Sequence, residues 1–253
     1  MADIGKFVWH ELTSTDTKAS VAFYGALFGW SVTEVDMGPM GKYNLLKSGE
    51  QMVGGIMPAQ GGAPSHWIPY ASVESVDGAV EKAKSMGGSV LVPPTDIPNT
   101  GRFAIVRDPQ GGVLAPFTAP PGMSAPPEPE KPAPGTFCWD DLATTDPAAA
   151  SAFYGAIYGW NVIPPKAGDP HAYWHLKRGG EKDCGGIMKA EGPQPTAWTS
   201  YVAVVDVDAA VAKATGLGAK TIVPPMNIPG TGRFSLMIDP TGAAFAVYSA
   251  TAR

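Results

Sequence analysis

Two pairs of side chains stand out for the chemistry they could do together. Trp9 and Glu11 lie two residues apart, and Trp139 and Asp141 repeat that spacing 130 residues later. Residues two apart on a strand point to the same face, so each pair would set an indole beside a carboxylate. An aromatic wall can stack a flat apolar ligand while the carboxylate accepts a hydrogen bond, or acts as a base if a dry pocket raises its pKa. Glu11 and Asp141 are therefore the candidates for acid–base work. The alternative is that each Trp fills space while its carboxylate bonds a neighbouring backbone group or Arg. Arg102 and Arg233 close two repeated Thr-Gly-Arg-Phe segments. Either could grip a ligand carboxylate or phosphate with two bonds, or form a salt bridge to Glu11, Asp141 or a nearby Asp-Pro turn. His175 is a further ligand-binding candidate; its counterpart in the first half is Leu45, so a role for it would make the halves inequivalent. No Gly-x-Gly-x-x-Gly, P-loop, Gly-x-Ser-x-Gly or Cys-x-x-Cys pattern occurs, which removes several common enzyme classes.

The elements that position these groups come in repeats. Residues 5–32 match 135–162 at 15 of 28 positions, and 92–103 match 223–234 at 9 of 12. Between the halves, residues 119–134 hold seven prolines in sixteen, a composition that favours extended, solvated chain. The expected organisation is one domain over 1–118, a linker over 119–134 and a second domain over 135–253. Within each half the periodicity predicts β-α-β-β-β twice. Phe7–Leu12 alternates as a strand; Asp16 caps a helix whose stripe is Ala19, Ala22, Phe23, Ala26 and Leu27, and Gly29 ends it. Strands are expected at Trp30–Val35, Tyr43–Lys47, Met52–Met57 and Trp67–Val73. A second helix carries Val76, Ala79, Val80 and Ala83, and short strands follow at Val90–Val92, Phe103–Val106 and Val113–Phe117. The pairs Pro93-Pro94 and Pro224-Pro225 are expected to stiffen loops.

Composition narrows the class further. The 253 residues are 44% hydrophobic and 16% charged, too apolar for a disordered chain, and a net charge of −5 without a basic block leaves nothing to neutralise phosphates. Nucleic acid is not an expected partner. No run is long and apolar enough to span a bilayer, and the start of the chain lacks the pattern of a secretory signal, so no membrane partner and a cytoplasmic location are expected. Cys138 and Cys184 lack ligand spacing and are expected as buried free thiols.

Leu12, Thr15-Asp16, Phe23-Tyr24-Gly25, Gly29-Trp30 and Asp108-Pro109-x-Gly111, with their repeats in the second half, resemble the vicinal oxygen chelate superfamily. That group includes glyoxalase I, the bleomycin-resistance proteins and the extradiol dioxygenases. The resemblance implies an α+β fold of two tandem domains, with paired β-α-β-β-β units curling a mixed sheet into a cup and helices outside. It also implies a divalent metal, or a bound drug, in that cup. The family's four ligand positions fall here at Trp9, about Gly55, Ile68 and Ala115, and at Trp139, about Gly186, Thr199 and Ala246. None offers a metal-binding side chain beyond one hydroxyl. The expectation is a protein with no metal and no cofactor, binding a small apolar or aromatic molecule through Trp9, Glu11, Trp139, Asp141, Arg102, Arg233 and His175. Two alternatives stay open: metal-independent acid–base catalysis by Glu11 or Asp141, and a metal lyase or dioxygenase whose ligands moved to His10-Glu11, Asp140-Asp141, His66, His171 or His175. Neighbours on a strand face opposite ways, which argues against His10 and Glu11 sharing one ion. A homodimer is compatible with the pattern.

Overall fold

The computed structural model describes residues 4–37, 41–123, 131–168, 172–180, 182–192 and 194–250. His171 and residues 124–130 of the proline-rich segment lie outside them.

The first half runs β1 (Phe7–Ser14), α1 (Thr17–Phe28), β2 (Ser31–Asp36), β3 (Lys42–Ser48), β4 (Gln51–Pro58), β5 (His66–Ser72), α2 (Val76–Ser85), β6 (Ser89–Ile97), β7 (Gly101–Arg107) and β8 (Val113–Thr118). The second repeats it as β9 (Phe137–Thr144), α3 (Pro147–Tyr158), β10 (Asn161–Ile163), β11 (Trp174–Arg178), β12 (Lys182–Lys189), β13 (Ala197–Ala203), α4 (Val207–Gly216), β14 (Lys220–Ile228), β15 (Gly232–Ile238) and β16 (Ala244–Ala250). Each half contributes one eight-stranded mixed sheet, ordered β2-β3-β4-β1-β5-β8-β7-β6 and β10-β11-β12-β9-β13-β16-β15-β14. The fold is α+β and neither sheet closes. The predicted caps form: Asp16 accepts from the Ala19 N–H at 3.0 Å, and Gly29 takes the left-handed conformation at φ 73° that a side chain would strain.

The proline pairs depart from expectation. Pro93-Pro94 and Pro224-Pro225 lie inside β6 and β14, not in loops. Both strands are sheet edges, and the pairing register shifts beside the prolines, between Val92 and Thr95 and between Val223 and Met226. An edge strand tolerates a residue without an N–H because one side of its backbone has no strand to bond.

The compact units are not the sequence repeats. One is built within residues 1–9, 69–127 and 140–198, the other within 10–68, 128–139 and 199–253. Each unit therefore takes one helix from each half, α2 with α3 or α1 with α4. Unit 1 closes around Val76, Val80, Phe153, Tyr154, Tyr158 and Trp198. Unit 2 closes around Leu12, Phe23, Tyr24, Trp67, Val207 and Phe245.

Both cores bury an aromatic hydroxyl beside a carboxylate. In unit 2, Trp67 Nε1 donates to Tyr24 Oη at 2.9 Å, and Tyr24 donates to Asp239 Oδ2 at 2.9 Å. Asp239 Oδ1 meanwhile accepts the Thr241 and Ala243 N–H groups, which fixes the Asp-Pro-x-Gly turn. Unit 1 sets Trp198, Tyr154 and Asp108 in the matching places, with Asp108 Oδ1 accepting from the Gln110 and Gly112 N–H groups. The motif that carries the family resemblance is thus a structural clamp. Burial first, and then the adjacent carboxylate, push the Tyr24 and Tyr154 hydroxyls well above 10.0, and burial alone does so for Tyr158. A raised folded-state value keeps these groups neutral in the native protein, so their contribution is complete below the unfolded value of 10.0 and is lost as pH rises beyond it. Urea melts followed by circular dichroism should hold a constant midpoint up to about pH 9 and fall steeply above about pH 10. A midpoint unchanged well past that point would contradict the buried clamp.

Candidate functional site

Strand register assembles a row of three positions in unit 1. His175 on β11 pairs with Gly186 on β12, and Gly186 pairs with Asp141 on β9. Side chains directly across neighbouring strands share a face, and this is the face away from the core, because Leu176, Leu142 and Asp140 occupy the other. Gly186 lacks a side chain, and the ring of Tyr173 fills the space where one would stand: an added Cβ would collide with its Oη and Cζ atoms. From there Tyr173 Oη donates to Asp141 Oδ1 at 2.5 Å. Asp141 is 7% exposed, so this is a buried carboxylate gripped by a phenol, the strong charge-assisted type of bond. The His175 ring meets the Tyr173 ring edge-on, with centroids 5.0 Å apart.

Unit 2 repeats the row with one change. Glu11 on β1 pairs with Gly55 on β4, which pairs with Leu45 on β3. The Tyr43 hydroxyl and ring occupy the space above Gly55. Glu11 is 8% exposed. Tyr43 and Tyr173 were not among the residues expected from sequence. The available signal was a Tyr repeated at the 130-residue offset beside a glycine repeated in mid-strand, where glycine costs stability unless something approaches closely.

The other expected residues divide. Trp9 and Trp139 are half-buried and share a strand face with Glu11 and Asp141. His10 points the other way, buried and stacked on Phe137 with centroids 3.8 Å apart, as strand alternation requires. The ligand positions Ala115 and Ala246 pair with Tyr70 and Tyr201, which lie against Phe103 and Phe234. Arg102 and Arg233 pair with neither carboxylate of the row nor the Asp-Pro turn. Arg102 Nε and Nη2 hold Asp77 at 2.9 and 3.0 Å, and its Nη1 holds Asp96 at 2.8 Å. Arg233 grips Asp208 and Asn227 in the same way. The reason is register: β6 places Asp96 directly across from Arg102, and Asp77 sits in the first turn of α2. The guanidiniums hold the Asp77 and Asp208 carboxyls below their usual value. Cys138 and Cys184 are thiols outside any disulfide, half-buried rather than buried, each donating to a backbone carbonyl, of Tyr201 and Leu176, at 3.4 Å. His66 Nδ1 lies 2.8 Å from the Pro64 carbonyl, a local turn contact.

These residues do not fit a divalent ion. Among the described residues no three His, Cys, Asp or Glu side chains gather as a metal site. At the second ligand position a tyrosine ring already fills the room a ligating side chain would need. No helix among the described residues is long and apolar enough to cross a membrane.

Family models carry this geometry to known proteins. Residues 6–115 match the Glyoxalase/Bleomycin resistance protein/Dioxygenase superfamily, and residues 136–248 match a glyoxalase-like domain. The chain belongs to this superfamily. A member named "Putative glyoxylase CFP32" from Mycobacterium tuberculosis is 35% identical over 245 residues, covering 94% of this chain and 92% of its own. The anthracycline biosynthesis protein DnrV of Streptomyces peucetius is 30% identical over 265 residues, covering 96% and 92%. The Mn(II)-bound glyoxalase of Novosphingobium aromaticivorans superposes with a TM-score of 0.67 at 16% identity, covering 98% of this chain and 83% of that one. The dioxygenase LapB of Pseudomonas sp. KL28 also gives 0.67, at 13% identity, covering 98% and 93%. At these identities the solved structures establish the fold.

Proposed function

We propose that this chain binds a flat aromatic molecule of the polyketide type, without an ion, on the sheet faces that carry Trp9, Glu11 and Tyr43 and Trp139, Asp141 and Tyr173. The observation that carries the proposal is the tyrosine standing over Gly55 and over Gly186. It replaces the room for an ion-binding side chain with a ring and a hydroxyl, leaving an aromatic surface with one oriented carboxylate beside it. Stacking area supplies the affinity, and the carboxylate and phenol orient the ligand. Named relatives acting in anthracycline biosynthesis support the ligand class. Catalysis by Glu11 or Asp141 is not needed for this reading.

Titrating the protein with an anthraquinone sulfonate should quench tryptophan fluorescence saturably, with a Kd of about 1–100 μM, equivalent to about 5–8 kcal/mol. Exhaustive chelation should leave that curve unchanged, and Trp9→Ala/Trp139→Ala should remove most of the quench. Failure to quench at about 1 mM ligand, or binding that vanishes with chelator and returns with a divalent ion, would overturn the proposal.

A further inference from the structure

Where the halves carry the same row, they differ at two positions. The carboxylate, the tyrosine and the glycine persist as Glu11, Tyr43 and Gly55 and as Asp141, Tyr173 and Gly186. The next positions change character: Leu45 answers to His175, and Met52 answers to Asp183. A bulge in each hairpin aligns Lys177 with Asp183 and Lys47 with Met52, which keeps the changed pair on the row's own face.

In unit 1 the changed residues form a polar group. His175 Nδ1 lies 3.6 Å from Asp183 Oδ1, and Lys177 Nζ lies 3.8 Å from the same oxygen. The His175 side chain is 50% exposed, so it faces solvent rather than the core. With the Tyr173–Asp141 bond, the row reads carboxylate, phenol, imidazole, carboxylate. Its counterpart in unit 2 reads carboxylate, phenol, isobutyl, thioether. The first of these matches a ligand edge that bears hydroxyls, because each ring oxygen can both give and take a hydrogen bond. The second matches an unsubstituted edge.

We propose that recognition of ligand hydroxyls resides in the second half alone. His175, backed by Asp183, and the Tyr173–Asp141 pair take the phenolic oxygens of a hydroxylated flat aromatic, while Glu11, Tyr43 and Leu45 take a bare ring. This rests on the aromatic-binding reading above and adds which half reads polarity and with which residues. A site built around polar groups discriminates strongly against an analogue that leaves them unpaired, whereas an apolar site discriminates weakly.

The test is isothermal titration of the full chain with anthraquinone sulfonate and with its dihydroxylated analogue, alizarin sulfonate. The wild type should bind the dihydroxylated ring at least about tenfold more tightly, a difference of about 1.4 kcal/mol. His175→Leu/Asp183→Met should erase that preference while changing affinity for the bare ring by less than about twofold. His175→Gln, which keeps a donor and an acceptor, should retain part of it. Leu45→His/Met52→Asp should add a second tight site for the dihydroxylated ring. The altered His175, Asp183 and Met52 positions are half exposed, and thermal melts matching wild type confirm the fold. If the two ligands bind wild type equally, or the preference survives His175→Leu/Asp183→Met, this inference fails while the aromatic-binding reading stands. If neither ligand binds, both fail.

Discussion

Expressed separately, residues 1–123 and residues 131–253 will not form stable monomers, and expressed together they will purify as a one-to-one complex with a cooperative melt. The reason lies in which helix covers which strands. α3 belongs to the second half, yet its Phe153, Tyr154 and Tyr158 share a core with Val76, Val80 and Ala83 of α2 from the first. In the other unit Phe23 and Phe28 of α1 pack against Phe245 of β16, with centroids 5.7 and 6.2 Å away. Polar links cross the halves as well: Trp30 Nε1 donates to the Gly135 carbonyl and Trp160 Nε1 to the Gly5 carbonyl, each at 2.7 Å. Exposing one large apolar side chain costs about 1.5–3 kcal/mol, and a domain holds only about 5–15 kcal/mol in reserve. Losing half of each core therefore exceeds the whole stability. An isolated half should sediment as an aggregate or as a dimer that supplies to itself the missing helix and strands. A half that is monomeric and melts cooperatively near the wild-type temperature would contradict the two-unit arrangement.

The repeat, the element order and the cap residues are legible in the sequence, because each is written locally: identical residues at a fixed offset, apolar stripes at helical spacing, Asp16 before α1 and Gly29 after it. The partnership of α2 with α3 was not, since the stripe Val76, Ala79, Val80, Ala83 would bury equally well against its own half. That choice belongs to tertiary packing. The proline pairs misled for a related reason: proline reads as a breaker unless the strand is known to be an edge, and edge status is a property of the sheet. Trp9 and Glu11, and Trp139 and Asp141, lie on the strands expected for them, β1 and β9. Tyr43 and Tyr173 are not legible in the sequence because the position itself holds only a glycine, and the ring that fills its space comes from a different strand or the stretch leading into one. Arg102 and Arg233 showed their importance by repetition, but their partners depend on a β6–β7 register that composition does not encode.

Gly185→Ala and Gly186→Ala, neighbours on β12, should fail in different ways. An added methyl at Gly185 points to the core face and comes 2.6 Å from the Asp140 carbonyl oxygen, a backbone atom of the paired strand. Only separation of β12 from β9 relieves that clash, so the cost should reach or exceed the upper end of the about 1–3 kcal/mol typical of overpacking. A methyl at Gly186 points to the opposite face and meets the Tyr173 ring, the far end of a side chain that can swing away. The backbone should survive, but Asp141 loses the phenol that donates to it at 2.5 Å, a loss of about 1–3 kcal/mol for a buried acceptor. A mutant cycle with Tyr173→Ala separates the two mechanisms. With the ring gone, Gly186→Ala should add little further destabilisation, because the space it needs is already empty. Gly185→Ala should cost the same in both backgrounds, because the strand it pushes against is unchanged. Coupling energies from urea melts of the six proteins decide the matter. If Gly186→Ala costs as much in the Tyr173→Ala background as in wild type, the glycine is not there to admit the tyrosine. The repeat of that glycine at Gly55 would then need another cause.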